Sequence, residues 1–129
     1  MSCGCHNCTK HCVRKTSECK FMQDRITTGW SIPQGISQDV YIITGLENVH
    51  VSGFIGYDSG ELDFVTVRFF DGNLLVGGPL TVFEGSSVAF TSTGFNRIEV
   101  SVPSGNPDDI ASGLICLTPR YQVNCETED

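Results

Sequence analysis

In the stretch Arg97-Ile98-Glu99-Val100-Ser101-Val102, apolar and polar side chains alternate one by one. Successive side chains point to opposite sides only in an extended strand, so this stretch reads as a strand with one buried and one wetted face. The same texture recurs along the chain after residue 20. It is seen in "DVYIITG" (39–45), "VHVSGFIGYD" (49–58), "DFVTVRFFDGN" (63–73), "LLVGGPLTVF", "SVAFTS" and "GLICLTPRYQV" (113–123). In the second of these, Val49, Val51, Gly53, Ile55 and Tyr57 share one face. Asp71-Gly72 closes the third with a hairpin turn signal. Gly77, Gly78 and Pro79 interrupt the fourth, and a proline lacks the ladder donor, so an edge strand or a bulge is expected there. No amphipathic helix longer than two turns stands out. About eight short strands, with turn signals every 8 to 12 residues or so, predict an antiparallel β-sandwich or barrel.

The first twenty residues have a different texture. "MSCGCHNCTKHC" holds Cys3, Cys5, Cys8 and Cys12 and almost nothing apolar. It shows neither a period of two nor one of 3.6. The expected organisation is therefore an arm over residues 1–20 and a β-sandwich body over residues 21–129. A 129-residue chain fits one domain and can bury enough surface to fold without a metal or a disulfide.

Charge divides at the same place. Residues 1–25 carry five basic side chains against two acidic ones, and residues 26–129 carry Arg68, Arg97 and Arg120 against thirteen acids. The net charges of +3 and −10 account for the −7 of the whole chain. An acidic body argues against a nucleic-acid partner. A basic arm is drawn to the acidic body of another copy, unless both surfaces are simply solvated. No apolar run of membrane-spanning length occurs, and no apolar segment of signal-peptide length follows Met1. Neither a membrane partner nor conventional secretion is expected.

The seven cysteines narrow the chemistry. Cys3, Cys5, His6, Cys8, His11 and Cys12 exceed the four ligands of a tetrahedral zinc site. They crowd into ten residues, however, where structural zinc sites separate two pairs by a loop. Cys5-His6-Asn7-Cys8 has the spacing of a redox pair but lacks the helix that lowers a thiol pKa. The third reading is an intermolecular staple. Twelve extended residues span roughly 40 Å, far enough to leave one body and reach the next. An odd number of cysteines leaves at least one thiol to bond another chain or stay free.

Cys116 has a distinct position. Ile115, Leu117, Tyr121 and Val123 share the parity expected of the core, and Leu114, Cys116, Thr118 and Arg120 share the other. Cys116 is thus expected to point outward, although a register slip of one residue would bury it. All seven are disulfide candidates: Cys3, Cys5, Cys8 and Cys12 on the arm, Cys19 at its base, and Cys116 and Cys125 on or beyond the last strand.

No enzyme signature is apparent. His50 lies on the outward parity of its strand. Asp58, Glu61 and Asp63 gather around a turn, where a solvated loop is favoured over a calcium site, because the remaining oxygen ligands are not evident. No catalytic Ser/His/Asp order or phosphate-binding glycine loop stands out, and no cofactor is expected.

"FMQDRITTGW" after a cysteine-bearing arm, the central "GFIGYDSG" and the terminal "GLICLTPRY" resemble the Ena-type subunits of bacterial endospore appendages. The resemblance runs in order over nearly the whole chain. Gln23, Asp24, Arg25 and Trp30 match the "QD(K/R)…W" piece; Cys116, Thr118, Arg120 and Tyr121 match the final "C-x-T-x-R-Y". The resemblance implies a jelly-roll-like body, lateral joining of subunits by β-sheet augmentation, and an N-terminal connector disulfide-bonded into a neighbouring turn or ring. It implies a role for Cys116 as acceptor of that connector. It also implies a homo-oligomeric appendage on the endospore surface, with a surface anchor and a tip protein as further partners, made without a signal peptide in the mother cell. Two departures matter. Family connectors carry adjacent cysteines, whereas here they are spread. Thr27 stands where the family has a second acceptor cysteine, so Cys19 is a substitute from the other side. Helical turns and stacked rings both remain open. Two other readings also stand: a cytosolic zinc-binding β-module, and a non-polymerising spore-coat ligand-binding domain.

Overall fold

The computed structural model describes residues 20–46 and 48–123. Nine strands follow one another: β1 (Lys20–Gln23), β2 (Ile26–Pro33), β3 (Ser37–Ile42), β4 (His50–Ser59), β5 (Phe64–Asp71), β6 (Leu74–Phe83), β7 (Ser86–Thr93), β8 (Arg97–Ser101) and β9 (Ile110–Val123). They form two antiparallel sheets. One runs β3-β8-β5-β6. The other runs β9-β4-β7, with β1 and β2 both lying along the far side of β9. Within every sheet a strand's neighbours are mostly distant in sequence, so the chain repeatedly crosses from one sheet to the other.

Alternation places the core between the sheets. Val51, Ile55 and Tyr57 of β4 face inward, and so do Val65, Val67 and Phe69 of β5, Ile98 and Val100 of β8, and Ile115 and Leu117 of β9. Phe69 meets Phe90 and Phe95 edge-on, with ring centroids 4.9 and 5.0 Å apart. Edge-to-face contact suits the ring quadrupoles and adds to the gain from burial. The buried Tyr57 hydroxyl donates to the Leu62 carbonyl at 2.7 Å. That bond satisfies the one polar atom the ring carries inward.

Lys20–Gln23 and Ile26–Pro33 add two strands to the seven stretches quoted from the sequence, giving nine where about eight were expected. Ile26, Thr28, Trp30 and Ile32 do share the inward parity of β2. Two threonines and Gly29 dilute that signal in the sequence. The turn expected at Asp71-Gly72 is present, with Gly72 at φ 65°. Pro79 lies on an edge strand, as its missing donor requires.

Candidate assembly interface

Strand β9 is the axis of its sheet. It pairs with β4 on one side and with β2, then β1, on the other. Cys116 sits on it between Ile115 and Leu117, both buried, and its own side chain is half-buried on the outer face. Its register partners are Thr27 on β2 and Phe54 on β4. The Thr27 hydroxyl points at the Cys116 sulfur from 3.8 Å. A thiol is a weak acceptor, so this long contact leaves the sulfur available. Among the described residues Cys116 has no disulfide partner. Phe54 is 42% exposed beside it, Leu114 is exposed one step along β9, and Ala89 is exposed opposite Phe54 on β7. Gly29, opposite Leu114, adds no side chain. The thiol therefore stands on an uncharged, partly apolar shelf. The other six candidate cysteines, Cys3, Cys5, Cys8, Cys12, Cys19 and Cys125, lie outside the described residues.

β1 and the turn that follows it are fixed to the same strand. Gln23 of β1 pairs with Arg120, and the Asp24 amide donates to the Pro119 carbonyl at 3.0 Å. The Tyr121 hydroxyl donates to Asp24 Oδ2 at 2.7 Å. That bond to a carboxylate is the main reason the phenol is held above its ordinary pKa. An added Cβ at Gly113 would collide with the Gly56 carbonyl oxygen and lie 2.6 Å from a carbon of the Trp30 indole, so only glycine fits there. The "QDR…W" and "C-x-T-x-R-Y" pieces, far apart in sequence, thus form one structural unit. Thr27, where the resemblance implied a second cysteine, stands across from Cys116. The sequence carried no signal of these pairings.

The sheet edges differ. β7 pairs only with β4, and its eight residues keep one unbroken register. β6 is interrupted. Val67 pairs with Leu80 and Phe69 with Val76, so one residue of β5 faces Gly77, Gly78 and Pro79, which protrude. β3 skips Val40 between Asp39 and Tyr41. Bulges and prolines spoil an edge for pairing, whereas an unbroken edge offers its free N–H and C=O groups. His50 is exposed on the outer face, and Asp58, Glu61 and Asp63 are exposed around their turn. Among the described residues no three His, Cys, Asp or Glu side chains gather to hold a metal ion.

Like β7, β2 pairs on one side only and keeps an unbroken eight-residue register, so the structure is an all-β sandwich with an outward Cys116 and two clean edges. The sequence matches the endospore appendage family over residues 5–123, and the chain belongs to that family. No curated protein matches it. Among solved structures, it is similar to a Bacillus protein described as an endospore appendage of "a novel family of disulfide-linked pili". That comparison has a TM-score of 0.70 at 23% identity, covering 81% of this chain and 89% of the other. Weaker likenesses are to FLHE (TM-score 0.39, 14% identity, 80% of this chain, 96% of the other) and to the VP2 subviral particle of infectious bursal disease virus (TM-score 0.36, 9% identity, 84% and 38%).

Proposed function

We propose that this chain is a self-assembling structural subunit of an endospore surface appendage, stapled between copies by disulfides and without catalytic activity. The body, from residue 21 onward, forms the wall; residues 1–20 form the connector. The body's strand order, with β2-β9-β4-β7 facing β3-β8-β5-β6, supports a jelly-roll reading. Lateral growth uses the unbroken β7 edge of one copy against a different edge of the next, so the contact is heterologous and propagates. The connector then enters a neighbouring turn or ring, where Cys8 or Cys12 bonds Cys116, and Cys19 is the next candidate. A covalent bond between copies outlasts any non-covalent interface, which suits a surface fibre.

The observation that carries this reading is the placement of Cys116: on the outer face of a central strand, beside exposed apolar side chains and with no disulfide partner among the described residues. The test is Cys116→Ser, with electron microscopy and non-reducing gels. The unmodified assembly should resist denaturant until reductant is added. The variant should still form laterally joined arcs or rings but fall to monomers or short oligomers in denaturant alone. A variant that stays a high polymer to the same extent places the staple elsewhere.

A further inference from the structure

Asp71-Gly72 is the one place in the sequence where an Asp or Asn is followed by glycine. Such a pair is chemically labile in a flexible chain, because no side chain on the glycine crowds its nitrogen. The nitrogen loses its proton and bonds to the aspartate Cγ, and the carboxyl hydroxyl leaves as water, closing a succinimide. Water then opens the ring. Opening at Cγ restores aspartate; opening at the main-chain carbonyl leaves isoaspartate, with the backbone routed through the side chain. No oxidant or reductant takes part.

The fold needs the glycine here. Asp71 and Leu74 are register partners, and Gly72 between them has φ 65°, which the tightest hairpin turns require and other residues resist. Asp71 is exposed, so water reaches its carboxyl. The attacking nitrogen, however, is engaged. The Gly72 amide donates to Asn96 Oδ1 at 3.1 Å. Asn96 is pinned by its own main chain: its amide donates to the Phe70 carbonyl at 2.8 Å, and its carbonyl accepts from the Ile43 amide at 2.8 Å. Its side chain therefore reaches the turn from a fixed base. Arg97 Nε donates to the Gly72 carbonyl at 3.2 Å, and Arg97 is itself held by Asp39 and the Phe70 ring. Residues 96 and 97 thus bind Gly72 through both its amide and its carbonyl. A nitrogen that donates to a fixed acceptor must break that bond before it can turn on Cγ, and ring closure depends on the two atoms approaching freely.

We propose that Asn96 is a positioning residue that guards the Asp71-Gly72 bond, holding the Gly72 nitrogen off the Asp71 carboxyl and keeping the β5–β6 turn from ageing to isoaspartate. This protection is independent of how copies are joined.

Each ring closure and reopening puts one solvent oxygen into residue 71. Incubating the full chain in heavy-oxygen water therefore counts the events, with the label located by fragmentation in a mass spectrometer. The parent should take up label at Asp71 at least about tenfold more slowly folded than in guanidinium chloride. Asn96→Ala should raise the folded rate roughly fivefold, the factor a neutral hydrogen bond is worth. Asn96→Asp keeps an acceptor oxygen and should stay near the parent's rate. Asp58, followed by serine in β4, reports general opening and should not change. An Asn96→Ala rate equal to the parent's would overturn the proposal. So would an Asn96→Asp chain that labels as fast as Asn96→Ala, or a parent that labels equally folded and unfolded. Where Asn96→Ala also raises the label at Asp58, the fold has opened and the parent alone decides. Its Gly72 amide hydrogen should exchange in deuterated water at least about tenfold more slowly than in the denatured chain, and free exchange overturns the proposal.

Discussion

The two outer faces of this sandwich are unlike. On the β3-β8-β5-β6 sheet the polar groups around β8 bind one another, while Phe64, Leu75 and Phe83 are exposed toward β6. Arg97 reaches Asp39 at 2.9 Å and Glu99 at 3.8 Å, donates to the Gly72 carbonyl at 3.2 Å and lies over the Phe70 ring at 4.1 Å. Arg68 donates to Ser101 at 3.1 Å, and the Ser37 and Ser101 hydroxyls share a bond of 2.7 Å. On the β9 sheet the central residues of the face are Cys116, Phe54, Leu114 and Ala89, which have little to bind in their own chain. The polar cluster around β8 satisfies itself and gains little from a partner. The exposed apolar side chains beside Cys116 gain by being covered.

The comparison breaks most completely if the shared core fails. Phe69 on β5 touches Phe90 on β7 and so joins the two sheets. Phe69→Ala should cost about 3–5 kcal/mol and remove both faces together, as a large fall in the denaturant midpoint. The next largest effect should fall on one face only. Phe54→Asp should leave the fold within about 1 kcal/mol, since the ring is exposed. It should nevertheless raise the concentration needed for assembly by roughly tenfold. Thr81→Asp, exposed on the other sheet, is the matched control and should change assembly little. Sedimentation of both variants decides whether the faces differ in function.

Arg97→Met tests the self-bonded face. It keeps the length of the side chain and removes its charge and hydrogen bonds. A loss of about 1 kcal/mol is expected, shrinking in molar salt, because these pairs are only partly screened by burial. Assembly should be unaffected. The smallest effect is at Tyr121. Its phenol pKa is raised in the folded chain, so the folded state holds that proton more tightly than the unfolded state. The stabilisation is complete below the ordinary tyrosine range, near pH 10 or so, and fades as pH rises through the folded value. Tyr121→Phe should therefore be slightly less stable than the parent at pH 8 and should converge with it at higher pH. A gap in denaturant midpoints that stays constant from pH 8 to 11 would count against this bond.

The features that could be read from sequence were local. Alternation marked β8, and Ile98 and Val100 are indeed buried. The parity of β9 put Ile115 and Leu117 in the core, and the structure has Cys116 on the opposite face. Asp71-Gly72 marked its turn because only a residue free to take positive φ fits there. What was not legible depended on distant partners. β1 and β2 were not anticipated as strands, since their hydrogen bonds come from a strand about ninety residues away. The bond from Tyr121 to Asp24 spans 97 positions and has no local signature. The difference between an unbroken β7 and an interrupted β6 depends on register against β4 and β5, which composition only hints at through Gly77, Gly78 and Pro79.

The way β1 joins β9 also has a mechanical meaning. β1 lies antiparallel along the end of β9, so Lys20, its first residue, is paired with Val123. A pull at Lys20 along the axis of β1 strains all four of its register pairs at once, in shear. A pull across that axis opens them one after another, like a zipper. Behind β1, the Tyr121 bond to Asp24 and then the eight register pairs of β2 meet the same strand. Tension applied at Lys20 in the strand direction is therefore passed into β9, the strand that also pairs with β4, and spread over the sheet rather than concentrated at one hinge.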